Sequence, residues 1–147
     1  MKRTSLEHSE CAVARSLDVI GDWWSLLILR EAFAGHRRFS EIQKNLGVAK
    51  NILSARLKKL VGQGILKQVP ATDGSSFHEY ELTDKGRGLS MVLMALRQWG
   101  EAFFCDLDKP CYVFVDKAKG KRIKALELRS SDGRKLKAED VRMVPAK

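Results

Sequence analysis

No stretch of this chain is apolar for anything near the roughly 18 residues that a membrane-spanning helix needs, so no segment of it is expected to span a bilayer. The first residues, Met1 to His8, have no apolar core behind their basic start and do not read as a signal peptide. Cysteine is scarce. Cys11, Cys105 and Cys111 are an odd set without CxxC spacing, which fits a cytoplasmic protein with free thiols. Tetrahedral zinc needs four ligands, and His8, His36 and His78 are scattered, so no metal is expected. No carboxylate pair stands out, no histidine lies close to Cys11 beyond His8, and no glycine loop is built to cradle phosphate. Gly86 and Gly88 sit at a helix start instead. The sequence therefore calls for no cofactor and gives no enzyme signature. It has no internal repeat and no low-complexity tract.

What the chain does have is positive charge. Its 147 residues are 44% hydrophobic and 31% charged, as in an ordinary globular protein, but the net charge is +9 and the pI is near 9.7. A basic surface attracts phosphate polymers. The length suits one full domain with a small appendage. Apolar residues recur at helical spacing through Leu17, Ile20, Trp24, Leu27 and Ile28, which predicts a short helix around Ala12–Val19. Asp22 then caps a second helix from Trp23 to Phe33, and Ala34-Gly35 ends it. Farther on, Thr83 caps a helix predicted to run to about Phe104, apolar nearly all round. Asp106–Pro110 reads as a boundary. Beyond it the period changes to two, and Tyr112–Val115, Ile123–Leu128 and Val141–Val144 read as short strands. The expected fold class is mainly α with a small β content (α+β). It comprises a domain over residues 1–105 and a β-rich C-terminal extension over 106–147.

The segment from Phe39 to Tyr80 carries the functional reading. Phe39–Leu46 is an amphipathic helix, Gly47 breaks it, and Ala49–Gly62 is a more basic helix. Two strand-like pieces follow, Ile65–Val69 and Phe77–Leu82, joined by the polar turn Thr72–Ser76. Helix, tight turn, helix, hairpin is the order of a winged helix-turn-helix. On the second helix, Ile52, Leu53, Leu57 and Leu60 fall on the core side. Asn51, Ser54, Ala55 and Lys58 fall opposite, flanked by Lys50 and Lys59. Asn pairs bidentately with adenine, a serine hydroxyl reads either edge, an alanine methyl meets thymine, and lysines take phosphates. Arg37 and Arg38 precede the motif and are candidates for phosphate contact, and Lys67, Ser75, Ser76 and His78 of the hairpin are candidates for contact with the neighbouring minor groove or backbone. Arg56, nearer the core, is expected to pair with Glu31 or Glu41. The partner this pattern implies is double-stranded DNA, with no membrane involved.

Several stretches then match a known family. CAVAR from Cys11, LDVIGDWWSLLILR from Leu17 to Arg30, RRFSEI from Arg37 and NILSARL from Asn51 to Leu57 resemble the successive signatures of HxlR-type transcriptional regulators. GIL from Gly64, YELTDKG from Tyr80 to Gly86, and Trp99 continue the match, which covers Cys11 to about Phe104. Trp23 departs from it, standing where the family carries arginine or lysine. The resemblance implies a bacterial, homodimeric winged-helix regulator, repressor or activator, that binds a pseudopalindromic operator. It implies a dimer contact through the terminal helices, here Val13, Leu17, Leu89, Val92, Leu96, Trp99 and Phe103. It also places Cys11 where some members carry an oxidant- or electrophile-sensing cysteine. Arg15 lies one helical turn on.

Other inputs remain open at this level. A small aromatic ligand is a candidate effector beside an oxidant, with Trp23, Trp24, Phe33, Met91, Met94, Trp99 and Phe103 as candidate pocket residues. Cys105 and Cys111 read as structural. Two alternative functions stand against the regulator: a nonspecific nucleic-acid binder, prompted by the basic run Lys117, Lys119, Lys121, Arg122 and Lys124, and a thiol-dependent enzyme built on Cys11.

Overall fold

The computed structural model describes residues 4–105 and 112–146. The boundary expected at Asp106–Pro110, and Cys111, lie outside the described residues. The chain divides into two compact units, Met1–Leu93 and Met94–Lys147, with the division inside a helix.

In the first unit, α1 (Ala12–Ile20) stops at Gly21 and α2 (Trp23–Phe33) starts at once. Asp22 makes that start possible. Its carboxylate accepts the otherwise unpaired Ser25 amide at 2.8 Å and the Ser25 hydroxyl at 2.7 Å. α3 (Phe39–Leu46) ends at Gly47, whose φ of 64° lies in the left-handed region that glycine enters without a Cβ penalty. α4 (Lys50–Gly62) follows after a two-residue turn and the capping Ala49. β1 (Leu66–Pro70) and β2 (His78–Leu82) form an antiparallel hairpin with Leu66 opposite Leu82 and Val69 opposite Glu79.

The core lies where α2, α3, α4 and β1 meet. Ile28, Leu29, Ile42, Leu53, Leu57, Leu60 and Leu66 are essentially sealed from solvent. Each such side chain contributes about 1.5–3 kcal/mol of transfer free energy. Leu53, Leu57 and Leu60 obey the helical spacing read from the sequence. Ile52 does not: it is 37% exposed. It lies one step around the helix from Leu53, past the edge of the apolar stripe.

The long helix expected after Thr83 is two helices. Thr83 does cap α5 (Asp84–Arg87), its hydroxyl accepting the Gly86 amide at 3.1 Å. Two turn residues, Gly88 and Leu89, separate α5 from α6 (Ser90–Phe104). α5 is closely packed: a Cβ at Gly86 would sit 2.2 Å from the Ile65 carbonyl oxygen, so α5 is seated against the start of the hairpin.

In the second unit, Gln98 of α6 both donates to the Leu126 carbonyl, at 3.0 Å, and accepts its amide, at 2.7 Å. Arg97 lies over the Phe114 ring at 4.2 Å and pairs with Glu101 at 2.6 Å. The strands predicted here are mostly absent among the described residues. Tyr112–Val115 and Ile123–Leu128 reduce to a single bridge between Val115 and Arg122 and to β3 (Leu128–Arg129), which pairs with β4 (Lys135–Leu136). Val141–Val144 forms no strand and follows a short 3-10 helix, Ala138–Asp140. The alternating residues are exposed and have too little apolar surface to cover to sustain a ladder. Turns do form between these segments, with positive φ at Gly120 and Gly133.

The packing at Gly86 gives a stability test. Gly86→Ala must displace backbone and is expected to lose about 1–3 kcal/mol of unfolding free energy by urea titration. Gly62→Ala, where a Cβ meets nothing within 4 Å, is expected to be neutral or stabilising by up to about 1 kcal/mol. Equal effects at the two sites would refute the packing account.

Candidate nucleic-acid interface

α4 presents three parallel stripes. Leu53, Leu57 and Leu60 form the buried one. Lys50, Asn51, Ser54, Ala55 and Lys58 are all exposed, so the five form one outward face as their spacing requires. The stripe between them is polar and anchored. Arg56 Nε lies 3.2 Å from Asp22 Oδ1, and Lys59 donates to the Asp18 carbonyl at 3.0 Å. Lys59 is therefore half-buried and tied into the fold.

The partner of Arg56 is neither Glu31 nor Glu41. Glu31 is buried and taken by others: Asn45 of α3 donates to it at 2.9 Å, and Arg30 and His36 lie within 4 Å. Asp22 is available to Arg56 because the capping position of α2 lies beside the middle of α4. Burial opposes ionisation of Asp22. The Ser25 hydroxyl and amide, then the charges of Arg56 and Lys59, outweigh it and hold the carboxyl below its usual range.

The hairpin is latched to the segment before α3. The Tyr80 amide donates to the Arg37 carbonyl at 2.8 Å, extending the two-stranded ladder by one bond. Arg37 Nε lies 2.7 Å from Glu79 Oε2, and its guanidinium reaches Glu81 at 3.5 Å. Arg38 pairs with Asp73 at the hairpin tip, lies 3.8 Å from Glu79, and covers the Phe77 ring at 5.9 Å. The Glu79 side chain, nearly sealed from solvent, also accepts the Thr72 amide and hydroxyl, each at 3.1 Å. The Thr72 amide is the main reason its carboxyl stays below the usual range; burial opposes this, and the Thr72 hydroxyl and Arg37 assist. Asp73 is lowered to about 2, first by the Ser75 amide and hydroxyl and then by Arg38. Both arginines singled out for phosphate contact are thus already paired with carboxylates. Lys67 is exposed, 3.7 Å from Glu81. Ser76 and His78 are exposed and Ser75 is half-buried. The acids Asp22, Asp73 and Glu79, which position this surface, were not singled out from the sequence as ion-pair partners; Asp22 was read only as a helix cap, and the one signal for Asp73 and Glu79 was a carboxylate within a basic motif.

Elsewhere, Cys11 is a free, exposed thiol at the capping position of α1. Cys105 is disulfide-bonded, which corrects the expectation of free thiols throughout. The lack of CxxC spacing speaks to metal sites and catalytic dithiols, whereas a disulfide depends on local geometry. Trp23, Trp24 and Phe33 do not line the cleft of about 450 Å³ in the first unit, where polar Arg15, Asp18, Gln63 and Lys85 alternate with apolar Val19, Ile20, Ile65 and Leu89. Val13, Leu17, Val92, Leu96, Trp99 and Phe103 are exposed, and Leu89 is half-buried. Among the described residues, no helix is long and apolar enough to cross a membrane.

The charge on Asp22 gives a pH test. Its depressed pKa means that its contribution to stability is present above the unfolded value of 3.8 and is lost as pH falls through the folded value. Asp22→Asn keeps a capping side chain and removes the charge. The variant is expected to be less stable than wild type at neutral pH, and the gap should close as pH falls below about 4, followed by denaturant unfolding at each pH. A gap that stays constant with pH would show that the ion pair contributes nothing.

Comparison with known proteins follows the same lines. The family model described as HxlR-like helix-turn-helix matches residues 19–108. The HTH-type transcriptional regulator Mb3122 of Mycobacterium bovis is 45% identical over 92 residues, covering 63% of this chain and 58% of that protein. The chain thus matches less than two-thirds of that relative's length. The crystal structure of PA1607, a candidate transcription factor, is 50% identical and superposes with a TM-score of 0.91, covering 97% of this chain and 100% of that one. The redox regulator HypR in its reduced form is 28% identical with a TM-score of 0.57, over 63% of this chain and 92% of its own. With its helix-turn-helix, its hairpin wing and a family match over more than half its length, this chain belongs to the HxlR-like helix-turn-helix family of transcriptional regulators.

Proposed function

We propose that this protein acts in the cytoplasm as a homodimer that binds a pseudopalindromic DNA operator through two copies of α4, under the control of Cys11. The observation that carries the DNA contact is the outward face of α4, where Lys50, Asn51, Ser54, Ala55 and Lys58 are exposed together on a helix fixed from behind. The small Ser54 and Ala55 allow the helix axis to approach base edges. Asn51 supplies a bidentate group for adenine, and Lys50 and Lys58 neutralise phosphates. The exposed Lys67, Ser76 and His78 of the wing, with the half-buried Ser75, are the second contact region. Arg37 and Arg38 join it where a phosphate replaces a carboxylate partner.

The dimer reading rests on exposed apolar surface. α6 buries no residue fully, and Trp99 and Phe103 are 56% and 69% exposed. In the first unit Val13, Leu17 and Val92 are exposed and Leu89 is half-buried, and Leu96 is exposed on α6 in the second; a second copy of this chain would cover these apolar side chains. Two recognition helices would then address half-sites about 34 Å apart. The redox reading rests on the exposed thiol of Cys11 and on the likeness to HypR, a redox regulator. Oxidation by diamide would join two Cys11 thiols as an intersubunit disulfide, passing two electrons and two protons to the oxidant and changing the spacing of the recognition helices.

Titration of the reduced protein against genomic fragments, including its own upstream region, tests these readings. The expected footprint spans two half-sites, is lost on diamide treatment and survives diamide in Cys11→Ser. A footprint indifferent to oxidant would remove the thiol switch. Equal affinity for scrambled DNA would leave a nonspecific binder.

Within the site, Asn51→Ala is expected to cost about 1–3 kcal/mol at one operator position and to relax discrimination there. Lys58→Gln should weaken all sequences alike and lower the salt slope of log K by about 1 per contact. Competition titrations over a set of single-base operator variants, repeated at several salt concentrations, separate the two effects.

A further inference from the structure

We infer that the hairpin 114–124 of the C-terminal unit is a second binding surface for duplex DNA, contacting phosphates through Lys117, Lys119, Lys121, Arg122 and Lys124; this rests on the DNA-binding reading above. From residue 112 to its end the chain carries eleven Lys and Arg against five Asp and Glu, so its last quarter holds two-thirds of the net charge of +9. Five of those cations fall within eight positions. They are carried on an ordered reversal: Asp116 donates its amide to the Lys121 carbonyl at 2.9 Å, the Gly120 amide returns to the Asp116 carbonyl at 2.8 Å, and the Ile123 amide donates to Phe114 at 3.1 Å. Gly120, at a φ of 67°, makes the turn possible.

The charges are paired unevenly along the unit. Arg129 and Lys135 lie with Glu127 and Arg134 with Asp132, while Lys137 and Arg142, like the hairpin cations, have no ion pair among the described residues. The recognition unit likewise commits Arg37, Arg38 and Arg56 to its own carboxylates. Among the described residues, none of the five hairpin cations has an ion pair, and all five are exposed. The nearest acid in sequence, Asp116, spends its Oδ1 on the Lys119 amide. Like charges held together without counter-charges repel, and a polyanion relieves that repulsion. Duplex DNA offers a phosphate charge for about every 1.7 Å of its axis, dense enough to engage several of these side chains at once.

The test uses the full chain and a mixed-sequence duplex of about 40 base pairs, titrated from roughly 50 to 200 mM salt, with the substitutions Lys117→Gln, Lys119→Gln, Lys121→Gln and Lys124→Gln combined. Contacts of this kind each contribute about 0.9 to the slope of log K against log salt, so the combined variant should lose about 2–4 from that slope. The matching Lys→Arg set should retain it, and both sets should unfold at the wild-type temperature. An unchanged slope in the Gln variant would overturn the inference while leaving the regulator reading intact. Loss of the slope on single-stranded RNA but not on duplex DNA would also overturn it. Failure of the regulator reading shows separately, as absence of sequence preference in the wild type.

Discussion

The contact between Asp22 and Arg56 governs how the recognition helix is presented. A helix that reads bases must be fixed in its rotation about its own axis, because about 100° of roll replaces each side chain with its neighbour. The leucines of α4 set that rotation from one side. Arg56 and Lys59, three residues apart and so on one flank, set it from the other by reaching Asp22 and the Asp18 carbonyl. Asp22 also starts α2, whose buried Ile28 and Leu29 form the floor on which α4 packs. One carboxylate therefore serves both the helix behind and the helix in front.

Breaks and caps were the most legible part of the sequence. Asp22, Gly47 and Thr83 placed helix boundaries to within a residue because each acts through its own backbone or its nearest amides. Partners distant in sequence were not legible. Arg56 has several acids on neighbouring elements, and only the three-dimensional course of α2 selects Asp22. The turn at Gly88 and Leu89 interrupts the helix expected there, and the approach of Gly86 to Ile65 was equally hidden, since periodicity carries no information about a neighbour's carbonyl. The alternation beyond residue 111 promised strands, but alternation becomes a ladder only where a face is buried. There the exposed Tyr112, Leu128 and Met143 show how little surface the unit covers.

Of the candidate interface, the outward face of α4 followed from spacing alone. The state of the basic residues did not. A lysine or arginine in a motif looks the same whether it is unpaired, as Lys121 is, or engaged, as Arg37 is, and the difference lies in which carboxylates the fold brings within 4 Å.

The latch at the root of the wing changes what DNA binding means for that part of the surface. Arg37 and Arg38 do not wait as unsatisfied cations. Each holds a carboxylate of the hairpin, and Glu79 holds Thr72 in turn. A phosphate arriving there exchanges one anion for another, and the displaced carboxylate must find water or a new donor. In the proposed complex such an exchange would add little net attraction, but the posture of the wing would be set by competition between its own acids and the nucleic-acid backbone.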